Sequence, residues 1–184
     1  ILAFAGNVFN DVFQRPDLTP HFGWFMFGVG GTVILSGRLA DILARKNPSN
    51  RFYMGIIAAL GGVPFYFIGL FSGNAEVAFF CIGAGVLISS SYNGVGAALI
   101  QYFVEPGQRA LAGGLYLFVI SIAGFGLGPP VAGLLMDNVF TGSYAVSYSI
   151  FFILSFCGLG AAMSFIKAIN TYHADAVSTG NIRI

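Results

Sequence analysis

Five stretches without a formal charge, residues 18–37, 52–75, 77–104, 110–136 and 138–166, follow one another along the chain with short polar interruptions between them. Each is long enough for one helix to cross a hydrocarbon layer ~30 Å thick and too short for two. Helices are expected rather than barrel strands, because barrel strands alternate apolar and polar positions over ~9–11 residues and these runs are continuous. The predicted spans are 21–43, 52–72, 77–103, 110–135 and 144–167, preceded by a partial one over 1–13. Ile1 to Phe13 would reach only ~20 Å as a helix, and neither a methionine nor a basic leader opens the chain. That segment therefore reads as the end of a span that begins earlier, and the chain as a fragment. The pattern predicts an all-α, polytopic membrane helical bundle over residues 1–168, with a polar tail over 169–184.

Composition agrees. Hydrophobic residues make up 57% of the 184 and only 8% are charged. With a mean hydropathy of +0.82, the chain is too apolar for a soluble domain of this size to clothe itself in polar atoms. A net charge of +1 gives no basis for binding nucleic acid. Cys81 and Cys157 both fall inside apolar runs, without the spacing of a disulfide framework or a metal site, and read as small buried hydrophobes.

The distribution of basic residues predicts the orientation. Gly37 to Arg51 holds Arg38, Arg45, Lys46 and Arg51, half of the eight Lys and Arg. A short basic loop between two spans marks the cytoplasmic side. Alternating from there puts Arg109, Lys167 and Arg183 inside as well and only Arg15 outside, while the acidic residues show no such bias. The tail is then cytoplasmic, and the expected location is a plasma or inner membrane. The loops 72–74, 105–108 and 138–143 are short, so successive helices should lie antiparallel and side by side. Many of the 26 glycines fall within spans, where small residues let helices approach closely, either as static packing or as smooth surfaces on which helices tilt.

The stretch Gly37-x-x-x-Asp41-x-x-Ala44-Arg45-Lys46 resembles the signature loop of the major facilitator superfamily: Gly, three residues, Asp, a basic residue, any residue, Gly, then two basic residues. Gly37, Asp41, Arg45 and Lys46 match, whereas Ile42 and Ala44 depart from it. Such decay is common in the copy between the eighth and ninth helices of that family, so the resemblance favours its C-terminal half. A second stretch, Glu105 to Ala112 followed by Gly124 to Asp137, is similar to the inner loop and eleventh helix of facilitator proteins, which often read "P…R…A" and then "G…GP…G…D". The phrase Gly126-Leu127-Gly128-Pro129-Pro130, with Arg109 before it, is also similar to the Spinster-like branch, whose members include lipid and sphingoid carriers.

The resemblance implies a C-terminal six-helix lobe, from the end of helix seven to helix twelve, with its first helix truncated and an N-terminal six-helix half as its missing partner. It implies a secondary transporter that moves a small organic solute or lipid-like molecule by alternating access. It also implies a gating role for Arg38, Asp41 and Arg45, with Gly37, Lys46, Arg109, Gly128 and Pro129 as the accompanying gating or motif residues. Asp41 can accept hydrogen bonds from Arg45 one turn on. The plainer role of the basic residues is topology and headgroup anchoring.

Candidate substrate contacts come from polarity at depth. Ser89-Ser90-Ser91-Tyr92-Asn93 sits at the centre of its window, where polar side chains need partners or a wet cavity. Ser89 and Asn93, four apart on one helical face, with Tyr92 beside them, are expected to touch substrate, or else to hydrogen-bond between helices. Asn7, Asn10 and Asp11 form a second polar stripe near the outer mouth, readable as an entry or as helix capping. His21 and Trp24 suit an interfacial aromatic belt, and Tyr116 and Ser121 are further cavity candidates. Pro64 and the pair Pro129-Pro130 should interrupt their helices.

An embedded enzyme would need a nucleophile or a His, Asp or Glu constellation at depth, and no complete span carries one. No catalytic residue, metal site or cofactor is expected; the partners are the lipid bilayer and a small-molecule substrate. Without a deep titratable residue, this stretch offers no proton-coupling site. The competing function is a channel or structural membrane protein whose polar cluster only holds helices together.

Overall fold

The computed structural model describes residues 4–45, 47, 49–142 and 144–178, the last seven of these by backbone alone. Lys46 and Arg183 lie outside the described residues. The first turn of helix, α1 (Ala5–Asn7), runs directly into a π-helical turn over Val8–Val12. Then come α2 (Leu18–Phe22), which leads through Gly23 into α3 (Trp24–Ala44), and α4 (Asn50–Gly61) with α5 (Val63–Phe71) behind it. The long α6 (Ala75–Phe103) is followed by α7 (Arg109–Ser121), α8 (Gly128–Asn138) and α9 (Ala145–Ser178). No strand occurs among the described residues.

Five of the resulting rods are long and apolar enough to cross a membrane: Leu18–Ala44, Asn50–Phe71, Ala75–Phe103, Pro106–Asn138 and Ala145–Thr171. In lipid, a helix satisfies its own backbone, which is why continuous apolar runs adopt it. The chain is an all-α, multi-pass integral membrane bundle. Its outward faces carry large apolar side chains such as Phe27, Leu35, Leu111, Phe118, Phe125 and Phe156. In water such a surface would be a liability, and in lipid it is the normal solvent-facing side.

The rods are not all single helices, and the breaks follow the chemistry of glycine and proline. Gly62 separates α4 from α5, and Pro64 sits in the first turn of α5, where a missing N–H leaves no helical carbonyl unpaired. A π-helical stretch over Ile122–Leu127 joins α7 to α8, and Pro129 and Pro130 fall in the first turn of α8. At the other kind of break, a true reversal, Gly73 turns with φ +67° and Asn74 caps α6, its Oδ1 accepting from the Glu76 and Val77 N–H groups at 2.9 and 3.3 Å.

α6 is the central rod, packed on α3, α4, α5 and α7. Near one end, here called the Asp17 end, Phe9, Phe22, Tyr66, Leu70, Ile82, Val86 and Ile150 form one buried cluster. Near the Asp41 end, Ala40, Phe52, Val95, Leu99 and Ile169 form a second. Between the two clusters α3 and α6 cross almost backbone to backbone, with Gly37 and Gly94 facing each other. α7 and α8 are the least embedded: α7 touches α6, α8 touches α9, and Ala132 is their buried residue.

Candidate functional site

Ser89 is the middle residue of α6, so the polar run Ser89 to Asn93 lies at mid-depth. The structure divides this run by partner. The Ser36 hydroxyl on α3 donates to the Ser91 carbonyl at 2.9 Å, and the Ser91 hydroxyl donates to the Ile88 carbonyl at 2.5 Å. Ser89 lies over Gly62 and against the Tyr66 phenol, at the α4–α5 break. Ser36 and Ser89 thus fasten α6 to its neighbours while the Ser91 hydroxyl turns back on its own helix, uses that apolar surroundings favour because an unbonded hydroxyl there costs free energy.

The other half of the run is not fastened. The amide of Asn93, half-buried, forms no hydrogen bond with the described residues. Tyr92 and Tyr116 face each other across the α6–α7 contact without closing a hydrogen bond, and the Tyr116 phenol rests on Gly96. Ser89 and Asn93, placed on one face by their spacing, are thus separated in role: one hydroxyl is committed to a helix contact and one amide is open. Ser36, Gly62 and Tyr66 complete this region and do not stand out in the sequence. The one signal for them is the Ser36-Gly37 pair, a small polar residue beside a small one.

At the Asp41 end the expected Asp41–Arg45 pairing is replaced by another. Arg51 Nη2 donates to Asp41 Oδ1 at 2.9 Å, and the guanidinium lies 4.6 Å from the centre of the Tyr102 ring. One arginine therefore ties α3, α4 and α6 together. The reason is the reversal at 45–50. Asn50 Nδ2 donates to the Leu43 carbonyl at 3.0 Å, and Asn47 Oδ1 accepts the Ser49 N–H at 3.0 Å. Those bonds bring the first turn of α4 under the end of α3. Tyr102 then holds Arg51 in place, whereas Arg45 and Arg38 remain exposed. Arg109 opens α7 at the surface, and Gly128 and Pro129 open α8.

Near the Asp17 end, Asn7, Asn10 and Asp11 are exposed, and Asn10 Oδ1 accepts from Thr19 Oγ1 at 3.4 Å. Arg15 donates to both Asp17 carboxylate oxygens at 2.9 Å, and His21 Nδ1 meets the Asp17 carbonyl oxygen at 2.9 Å. The Arg15 hydrogen bonds hold the Asp17 carboxyl below the usual aspartate range and raise the guanidinium in turn. A depressed carboxyl stabilises the turn above the ordinary aspartate range, and that contribution is lost as acid protonates it through its lowered pKa. A carbonyl-carbon NMR titration should place the Asp17 midpoint below that of an unpaired aspartate, and Arg15→Gln should return it to the ordinary range. An unmoved midpoint in the variant would dismiss the pair.

Comparison with known proteins gives one likeness to report. No family model matches the chain, and no solved structure matches it. Over 152 residues, 82% of this chain, it is 28% identical to a protein of Mycolicibacterium smegmatis (strain ATCC 700084 / mc(2)155) named "MFS-type efflux pump". The chain spans about a third of that relative's length, 35%.

Proposed function

We propose that this chain is the C-terminal, six-helix part of a secondary transporter of the major facilitator type, exporting a small organic or lipid-like molecule by alternating access. The observation that carries the reading is the likeness to an efflux pump along most of the bundle. The half-exposed amide of Asn93 supports it: at mid-depth, among apolar helices, such a group is tolerated when it lines a wet cavity. Asn93, Tyr92 and Tyr116 are the proposed substrate contacts. Asn7 and Asn10, exposed at the Asp17 end, are the proposed approach to them.

The rival reading, a bundle with no transport cycle, draws on Ser36 and Ser89, whose hydroxyls are committed to contacts between helices. One experiment separates the two. In cells expressing the complete reading frame, export of a panel of fluorescent organic solutes should fall two- to tenfold with Asn93→Ala, the value of one lost hydrogen bond to substrate. The thermal stability of the extracted protein should not change. Ser89→Ala should instead lower that stability. Undiminished export with Asn93→Ala would remove this residue from the site, and absence of export by the parent protein for every solute would favour the rival.

A further inference from the structure

Between α3 and α6, at the Asp17 end, lies a groove of about 710 Å³ to which no role has yet been given. One wall is a single helical stripe that includes His21, Trp24, Phe25 and Gly28, and the facing wall includes Glu76, Phe80 and Leu87. Along α2 and the start of α3, from Asp17 to Gly28, it extends eleven residues, about 16 Å of helical rise. The groove is held open from behind. The tip of the Phe25 ring rests on Gly83, where a side chain would take its place, and the ring stands edge-on to Phe79 with ring centres 5.3 Å apart. At the floor the end of the Leu87 side chain packs directly on Gly28, in space that a Cβ there would need.

Charge distinguishes the mouth from the floor. Asp17 at the rim is neutralised by Arg15 through two hydrogen bonds. His21 is engaged with the Asp17 carbonyl oxygen. Glu76 lines the same rim; its carboxylate forms no ion pair among the described residues and feels Arg15 only at longer range, so Arg15, Asp17 and Glu76 together leave one net negative charge there. The exposed faces of Trp24 and Phe80 lie below it. One unpaired carboxylate over aromatic faces, opening on a narrow apolar slot, complements a single positive charge carried on an apolar tail.

We propose that this groove binds a freely diffusing amphiphilic organic cation, its ammonium head at Glu76 and Trp24 and its tail laid toward Gly28 and Leu87. The site is separate from Asn93, and its test requires no transport cycle, so it stands or falls independently of the carrier reading. The complete protein in nanodiscs of a neutral galactolipid should bind radiolabelled decyltrimethylammonium saturably, one per chain above the empty-disc background, and should not bind decyl sulfate. Glu76→Gln should weaken binding about tenfold, Trp24→Ala or Phe80→Ala about threefold or more, and Gly28→Leu, which fills the floor, should abolish it. Glu76 and Phe80 are exposed, so their variants carry the test should Gly28→Leu fail to fold. Equal binding of the two amphiphiles, or binding unaffected by Glu76→Gln and Phe80→Ala, would overturn the proposal. Loss of binding in phosphatidylcholine discs alone would also overturn it, since the occupant would then be a lipid headgroup.

Discussion

Replacing Gly94 by leucine is expected to abolish accumulation of folded protein, by more than tenfold in a fluorescence size-exclusion assay. A Cβ at this position would point into the Val33 carbonyl oxygen and lie 3.1 Å from the Gly37 backbone nitrogen. Those are atoms of the opposing backbone, which cannot swing aside as a side-chain end does. α3 and α6 would have to separate, and the Ser36–Ser91 hydrogen bond at the same crossing would be lost with them. Overpacking of this kind costs about 1–3 kcal/mol or more, a large part of what holds a domain together. Gly30→Leu is the matched control. Nothing among the described residues lies within 4 Å of its Cβ position, so its effect should stay within about 0.5 kcal/mol. Equal yields of the two variants would show that the crossing is not as tight as described.

Arg51→Ala is expected to cost about 1–2 kcal/mol and to loosen the Asp41 end. The side chain is 16% exposed and Asp41 55%, so solvent screens the ion pair, and the stacking on Tyr102 supplies much of the effect. Arg51→Lys keeps the charge opposite Asp41 but has no plane to lay on the ring, and should recover about half of the loss. Tyr102→Leu should reproduce most of the Arg51→Ala effect, and the double variant should be less than additive. The readout is heat resistance of the extracted protein, together with labelling of a cysteine placed at exposed Arg45. On the transport reading this clamp holds three helices at one mouth of the bundle, so its loss should also shift that labelling. Full additivity of Arg51→Ala and Tyr102→Leu would mean that the two side chains do not act together.

At the Asp41 end the carboxylate is paired with Arg51 and not with Arg45. Helical spacing places Arg45 one turn from Asp41, and nothing local to that sequence shows that the chain reverses and returns Arg51 to the same carboxylate. The midspan run shows the same limit. Ser89 and Asn93 share a stripe by periodicity, yet Gly62 and Tyr66 claim the first and leave the second open. The glycines divide likewise. Gly62, Gly85 and Gly94 are sites of close approach, while Gly113, Gly114, Gly124 and Gly133 meet nothing within 4 Å among the described residues. Composition cannot tell these two groups apart.

From the sequence alone followed the helical class and the succession of membrane-crossing segments, because the cost of placing a residue in lipid is local and adds along a run. Runs of twenty apolar residues have few other places to go. Where α3 and α6 cross, which serine is bonded, which carboxylate has a partner and where a groove stays open were decided by tertiary structure. Those outcomes depend on which distant residues the crossing brings within 3 Å of one another. Ser36 and Ser91 are fifty-five positions apart, and no local periodicity contains that distance.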